Sequence, residues 1–226
     1  MNNDTLTMST TNSYVPALRF HWLTDYYDWV ISTFLPEKKF KTQLLRQAEI
    51  KSGYNILDFG TGTATLSILA KQMYPDITIT GIDVDSHILA IADKKIQKAN
   101  VSVDLSDYDG TVLPYSDASF DRVISSLVFH HINRKQKLNA LSEIRRVLKS
   151  TGELHIADWG KPSNILMRTV MFGEQWLDGY ENTIDNIKGL LPQIITEAGF
   201  PVVEQTKIYN TVAGTLVLYK IKKSQT

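Results

Sequence analysis

The chain contains no cysteine. Disulfides, cysteine-held zinc, thiol nucleophiles and cysteine-bound iron–sulfur clusters are therefore excluded. Net charge is also absent, with 24 Lys and Arg balanced by 24 Asp and Glu. A balanced chain has no overall basic field of the kind that gathers nucleic acid. No apolar run approaches the length of a membrane span. There is no His-x-x-x-His pair and no carboxylate cluster with ligand spacing, so no metal is expected. Residues Met1 to Ser13 are rich in Asn, Thr and Ser and lack the positive and apolar regions of a signal peptide. They predict a disordered tail on a cytoplasmic protein.

What is present describes an ordinary globular chain. Hydrophobic residues make up 43% and charged residues 21% of 226 positions. That length suits a single α/β domain over residues 14–226 with a sizeable core.

The most informative stretch runs from Ile56 to Leu66, an apolar segment that turns through Gly60 and Gly62 into a helical pattern. It reads as strand, loop, helix. Gly60 and Gly62 can take positive φ and bring backbone N–H groups close to a ligand without a Cβ in the way. Leu66, Leu69, Ala70 and Met73 share one face of the helix, and Thr63 or Thr65 is placed to cap its start. The loop would then set a polar or anionic ligand group near a helix N-terminus.

Around this stretch strands and helices alternate. Tyr54–Phe59, Ile77–Ile82, Val101–Leu105, Phe120–Ser126 and Glu153–Asp158 read as strands. Between them lie helices over Thr63–Met73, over Ser86–Lys98, and from a cap at Asn133 through Leu148 to an end at Thr151-Gly152. Alternation of this kind predicts a doubly wound, Rossmann-like sheet. Two closing strands, Val202–Ile208 and Thr215–Ile221, are joined by a short connection, which makes them antiparallel and brings the sheet to seven strands. Two helical regions decorate this frame. Residues 14–50 form an aromatic N-terminal extension including Phe20, Trp22, Tyr26, Tyr27, Trp29, Phe34 and Phe40. Residues 160–199 form an apolar insertion with Met167, Met171, Phe172, Trp176, Leu177 and Tyr180, broken near Gly173 and Gly189. Both can pack on the sheet or roof a ligand pocket.

Four segments, ILDFGTGTATLS (56 to 67), ITGIDVDSHILAIA (79 to 92), LPYSDASFDRVISSLVFHHI (113 to 132) and EIRRVLKSTGELHIAD (143 to 158), resemble the class I S-adenosylmethionine-dependent methyltransferases. The likeness is to the methyltransferase type 11 branch, which contains ubiquinone and menaquinone biosynthesis enzymes, and it covers residues 50 to 160 most strongly. It implies S-adenosylmethionine as cofactor. Asp58, Gly60, Thr61 and Gly62 match the cradle for its methionine end, and Asp83 matches the acid for its ribose hydroxyls. A carboxylate suits that role because its two oxygens accept from both hydroxyls. Val84 would pack on the adenine, Asp109 with Gly110 would read the adenine amino group with Asp107 as competitor, and Ser125 and Ser126 would face the methionine portion. The chain has Ala64 where the family loop often has a third glycine.

Methyl transfer from a sulfonium needs nucleophile and methyl held in line, and a general base when the acceptor must lose a proton. His130, His131 and Asp158 lie at the strand ends where ligands of open α/β sheets bind. His155 reads as a hydrogen-bonded core residue within its strand, and His21 and His87 as surface or lid residues. The implied enzyme acts on a small apolar or aromatic molecule, without nucleic acid or membrane insertion, as a monomer or homodimer. A nucleotide-binding oxidoreductase shares the Gly-rich turn and the acid after strand two, and a non-catalytic cofactor-binding regulator shares every feature above.

Overall fold

The computed structural model describes residues 37–162, 180–211 and 214–224. The expectations for the tail at 1–13, for residues 14–36 including His21 and the aromatics before Phe40, and for 163–179 with their methionines, Trp176 and the Gly173 break fall outside these residues.

Seven strands form one sheet: β1 (Asn55–Phe59), β2 (Thr78–Asp83), β3 (Asp104–Asp107), β4 (Phe120–Ser126), β5 (Leu148–Trp159), β6 (Val202–Asn210) and β7 (Thr215–Lys222). Their order is β3-β2-β1-β4-β5-β7-β6. β1 to β5 pair in parallel, and β7 runs antiparallel to both β5 and β6. The helices are α1 (Glu37–Gln47), α2 (Thr65–Met73), α3 (Ser86–Ala99), α4 (Arg134–Val147), α5 (Tyr180–Ile187) and α6 (Leu191–Glu197). The expected architecture is the one observed.

Alternation along the strands sorts side chains between two cores. Leu57, Phe59, Val123, Leu154 and Ile156 pack with Leu141, Ile144 and Ile194 of α4 and α6. Ile56, Ile79, Ile124, Ala157 and Trp159 pack with Phe40, Leu44 and Leu45 of α1 and with Leu66 and Ala70 of α2. The same parity sends Asp58 toward α1 and α2 and Asp158 toward α4 and α5. Two acids at one sheet edge therefore serve opposite faces.

Local chemistry explains the element ends, with four corrections. The capping of α4 is as expected: Asn133 accepts from the Gln136 amide while Gln136 reaches back to the Asn133 amide. Neither threonine caps α2, whose N-cap is Ala64 at φ 59 with no side-chain cap bond. The Thr63 hydroxyl instead receives Lys95 Nζ at 2.8 Å. A left-handed alanine is strained where glycine is not, so Ala64 is a costlier substitution than helix propensity alone suggests. The third strand begins at Asp104, not Val101. Val101 and Val103 pack instead around Ala64, Ala92 and Ile96, and the polar sequence Asp-Leu-Ser-Asp forms the sheet edge. Finally, α4 ends at Val147 rather than at Thr151-Gly152, because Leu148 turns extended and pairs with Phe120. Glu153 is the next partner, of Arg122, so the stretch Ser150-Thr151-Gly152 forms a bulge inside β5.

Candidate active site

The carboxyl ends of β1, β2, β4 and β5 converge at one edge, and the loops leaving them carry most of the sequence-identified residues. Gly60 and Gly62 have φ of 69° and 53°. The first is also forced by contact: a Cβ at Gly60 would sit 2.4 Å from Val128 Cγ2. Beneath the loop Asp58 is 1% exposed. Its Oδ2 accepts from the Thr61 hydroxyl at 2.9 Å and the Ser67 hydroxyl at 2.6 Å. Burial pushes the Asp58 carboxyl up, against the lowering pull of these two hydroxyls and of the Lys41 cation. Asp58 thus fastens the loop to the start of α2.

The loop amides differ from expectation. Gly60 N and Thr61 N both donate to the Ile82 carbonyl, at 2.9 and 3.0 Å, and Gly62 N donates to Asp83 Oδ2 at 2.9 Å. The turn is so tight against β2 that its amides face the neighbouring strand. What opens outward is the Cα side of Gly62, where an added Cβ would meet nothing within 4 Å. Gly81 makes this approach possible, since a Cβ there would lie 2.7 Å from Thr61 Oγ1. A glycine inside a strand is the signal that could have marked it beforehand.

Asp83 ends β2, half-buried, with Oδ1 taking the Asp85 amide at 3.2 Å. Burial pushes its carboxyl up, and the amides of Gly62, Asp85 and Val84 pull against that shift. Val84 follows it, and Gly110 of the next loop lies close by: a Cβ on Gly110 would be 3.6 Å from Val84 Cγ1. Asp107 stands directly across from Asp83 in the ladder. Asp109 is exposed, and its Oδ1 is occupied by the Thr111 hydroxyl (2.6 Å), the Thr111 amide (2.8 Å) and the Val112 amide (3.3 Å). The Thr111 contacts, with the Val112 amide, hold its carboxyl below the usual range. The structure therefore brings Asp107 beside Asp83 and folds Asp109 onto its own loop. Ser125 is fully buried and donates to the Phe59 carbonyl at 2.9 Å, tying β4 to β1, while Ser126 ends β4 half-buried.

Beyond Ser126 the chain makes an abrupt turn. Leu127 adopts φ 60, a costly conformation for a branched side chain, while its amide bonds the Ala157 carbonyl at 2.8 Å. Val128 covers Gly60, Phe129 drops into the core against Phe59 (ring centroids 5.9 Å apart), and Phe129–His131 close a 3₁₀ turn. The two histidines end side by side, ring centroids 3.8 Å apart, so the turn lets neighbouring imidazoles share one place.

Asp158 organises this turn from below. Fully buried, it accepts from Phe129 N (2.7 Å) and Val128 N (3.1 Å) on Oδ2, and from Trp159 N (2.7 Å) and His130 Nδ1 (2.8 Å) on Oδ1. Burial alone would raise its carboxyl, but the His130 charge and hydrogen bond, with the Trp159 and Phe129 amides, outweigh that and hold it low. Because a carboxylate only accepts, His130 Nδ1 carries the proton of this bond, and Nε2 is the basic nitrogen of the neutral ring. A histidine so oriented can take a proton from a bound molecule.

His155 sits in the core as expected, 0% exposed, with Gln47 Nε2 at 3.3 Å from Nδ1 and Glu153 Oε2 at 3.2 Å from Nε2. Desolvation pushes it toward the neutral form. His87 is exposed. Among the described residues no group of three His, Asp or Glu side chains could hold a metal ion, and no helix is long and apolar enough to cross a membrane.

Sequence reasoning overlooked Lys41, which lies on the buried face of α1 with Phe40, Leu44 and Leu45 and is held by Glu37 Oε1 at 2.5 Å. A lysine inside an apolar helical stripe was the available signal. It also overlooked Asn186 of α5, whose amide reaches Asp158 Oδ1 (3.3 Å) and the Trp159 carbonyl (2.8 Å). No local pattern marks a partnership between residues 28 positions apart.

These features fit the end groups of S-adenosylmethionine. The opening at Gly62 admits an amino-acid moiety without a Cβ in its path, Lys41 brings a cation toward that end, and Asp83 offers a half-buried carboxylate to vicinal hydroxyls. Comparison with known proteins agrees. A methyltransferase-domain family profile matches residues 56–152. A demethylmenaquinone methyltransferase of Lactobacillus johnsonii is 34% identical over 131 residues, spanning 57% of this chain and 53% of that protein. One of Listeria monocytogenes is 28% identical over 226 residues, spanning 90% and 94%. In fold, the chain resembles a SAM-dependent methyltransferase from Aquifex aeolicus, with TM-score 0.62 and 21% identity over 85% of this chain and 92% of that one. Residues 56–152 thus match a methyltransferase domain, and the whole described sheet has the fold of the S-adenosylmethionine-dependent methyltransferase it resembles.

Proposed function

We propose that the protein methylates a small apolar or aromatic acceptor bound beside His130, with reduced demethylmenaquinone as the first acceptor to try. The acceptor class rests on the names of relatives that align over nearly their whole length. The observation that carries the chemistry is the 2.8 Å bond between His130 Nδ1 and the buried Asp158, at the strand edge shared with the Gly-rich loop.

S-adenosylmethionine supplies, when bound, a methyl group activated by sulfonium charge. In this reading Gly60, Thr61, Gly62 and Lys41 surround its amino-acid end, with Asp58 fixing the loop. The strand-end backbone at Ser125 and Ser126 borders the same end. Asp83 takes the ribose hydroxyls, Val84 packs on the adenine, and Asp107 or Asp109 with Gly110 receives the adenine amino group. His130 accepts the acceptor's hydroxyl proton at Nε2 as the nucleophile forms, and Asp158 holds the ring and balances the imidazolium. His131, its ring tilted against that of His130, closes the same wall. Of the two helical regions, the described helices α1 and α5 would cover the acceptor, which keeps water from competing for position at the reacting atoms.

The test is incubation of the full chain with S-adenosylmethionine and reduced demethylmenaquinone, with mass spectrometry of the extracted quinones. A product heavier by one methylene supports the reading. Recovery of unmethylated acceptor beside a smaller phenol that is methylated would replace the acceptor and keep the chemistry. No methylation across quinols, phenols and amines, with cofactor bound, would overturn it.

A further inference from the structure

Asp158 has one partner that none of the foregoing roles requires. Asn186, 1% exposed on α5, donates from Nδ2 both to Asp158 Oδ1 and to the Trp159 carbonyl. Both partners are acceptors, so the orientation of the amide is fixed by its surroundings. Asp158 Oδ1 is the same oxygen that holds His130. A single carboxylate oxygen thus joins the 3₁₀ turn, the end of β5 and helix α5.

We propose that Asn186 is a positioning residue for methyl transfer: it staples α5 to the carboxyl end of β5 and shares Asp158 Oδ1 with His130, so that docking of α5 sets the orientation and proton affinity of that imidazole. The inference rests on the reading of His130 as the base. α5 belongs to the 160–199 segment that this reading places over the acceptor, so an acceptor seated under α5 and the base beneath it would be aligned by one hydrogen-bonded oxygen.

The surroundings show why a neutral amide suits this place. Lys137, 0% exposed on α4, faces Asp185 Oδ2 at 3.7 Å, and Arg134 on α4 faces Asp185 Oδ1 at 3.5 Å. The field of Lys137 reaches Asp158 as well. Tyr219 on β7 feels the Asp158 charge, and His131 lies against His130. Among the described residues the charged and titratable groups around the pair are Lys137 and Arg134 from α4, Asp185 from α5, Glu197 from α6, which takes Arg134 at 2.8 Å, Tyr219 from β7 and His131 from the turn. Two cations, Lys137 and Arg134, stand against three carboxylates, Asp158, Asp185 and Glu197, so a protonated His130 completes the balance. Asn186 tempers the Asp158 carboxylate without adding charge to this balance.

Sign follows from geometry. Without the Asn186 donor, the Asp158 charge falls more fully on His130, which then keeps its proton to higher pH. The variants are Asn186→Leu, which removes the donor at similar volume, and Asn186→Asp, which keeps the shape and adds a second carboxylate. The readout is the NMR titration of His130 in histidine-labelled full-length protein without acceptor, assigned among the five histidines by single replacements. Both variants are expected to move the His130 titration upward in pH, with S-adenosylhomocysteine affinity within about threefold of the parent, since Asn186 touches no part of the cofactor loop. A folded variant whose His130 titration coincides with the parent overturns the inference. Should neither variant fold, the parent protein decides: slow solvent exchange of the Asn186 side-chain amide and its response to His130 titration support the staple, and a freely exchanging amide refutes it. The two readings fail separately. An unshifted titration removes the positioning role alone, while a shifted titration in a protein whose His130→Ala form still methylates at full rate removes the base.

Discussion

Replacing Asp158 by Asn keeps size and shape but removes the one group on which the turn after β4 is built. In the parent, one carboxylate accepts four bonds shorter than 3.2 Å, on Oδ2 from Val128 N and Phe129 N and on Oδ1 from Trp159 N and His130 Nδ1. An amide offers one acceptor oxygen. If that oxygen stays with Val128 and Phe129, the new NH2 points at the Trp159 N–H and the His130 and Asn186 donors. If it rotates, the NH2 points at the other two amides. Either way at least one buried N–H faces another donor, costing about 1–3 kcal/mol, and the surviving bonds lose their charge assistance, about 1 kcal/mol each. The sum is roughly 3–5 kcal/mol out of a total stability of about 5–15 kcal/mol. For a chain of this size that lowers Tm by about 6–20 °C. Calorimetric unfolding and methyl-transfer rates of the purified variant are the assay. The residues proposed for the cofactor lie on other strands, so S-adenosylhomocysteine should still bind well below the melting range. A variant melting within about 2 °C of the parent would refute the assignment of Asp158 as the organising acceptor.

Other outcomes follow from single contacts. Asp83→Ala should weaken S-adenosylhomocysteine by tenfold or more in calorimetric titration, the loss expected for about 1.4 kcal/mol or more of hydrogen bonding to the ribose; unchanged affinity removes Asp83 from that role. Gly60→Ala adds positive-φ strain of about 1–2 kcal/mol to a methyl 2.4 Å from Val128 Cγ2, so cofactor affinity and Tm should both fall. Adding Val128→Ala should restore part of each, and no restoration would mean that the contact is not the cause. Ala64→Gly relieves about 1–2 kcal/mol of backbone strain but loses a buried methyl worth about 0.8 kcal/mol and adds unfolded-chain entropy of about 0.4–1 kcal/mol. The Tm should therefore stay within a few degrees of the parent, where an ordinary buried Ala→Gly would fall further. Glu153 is held at about 2, burial working upward and the His155, Arg122 and Lys220 contacts working downward more strongly. Its folded value is depressed, so its contribution is present above the ordinary Glu range and lost as pH falls toward 2. Stability of Glu153→Gln, measured by denaturant unfolding, should decline less steeply over that interval.

How far the sequence announces this site depends on how local each interaction is. Gly60, Gly62 and Asp83 are legible because a tight strand-to-helix turn and an acid at a strand end are written in neighbouring residues. The Asn133 cap is legible for the same reason. The third strand is displaced because Val101 and Val103, strand-like in isolation, are claimed by the packing of Ala92 and Ile96. Ala64 keeps the left-handed backbone of the glycine that the family loop often has, a strain that its own side chain does not announce. His130 and Asp158 are each suggested by position, yet their pairing, and that of Asn186 with both, joins β4, β5 and α5 across the fold and leaves no local trace. The role of Asp107 beside Asp83 depends on sheet register, which a one-residue shift would undo.

His130 is the proposed base, so the most direct measurement is the rate of methyl transfer to reduced demethylmenaquinone by His130→Ala at saturating S-adenosylmethionine, with S-adenosylhomocysteine affinity measured on the same preparation. A general base contributes about 10²–10⁴-fold. The predicted result is a kcat lower by at least two orders of magnitude with cofactor affinity unchanged, and a kcat within a few fold of the parent would contradict it.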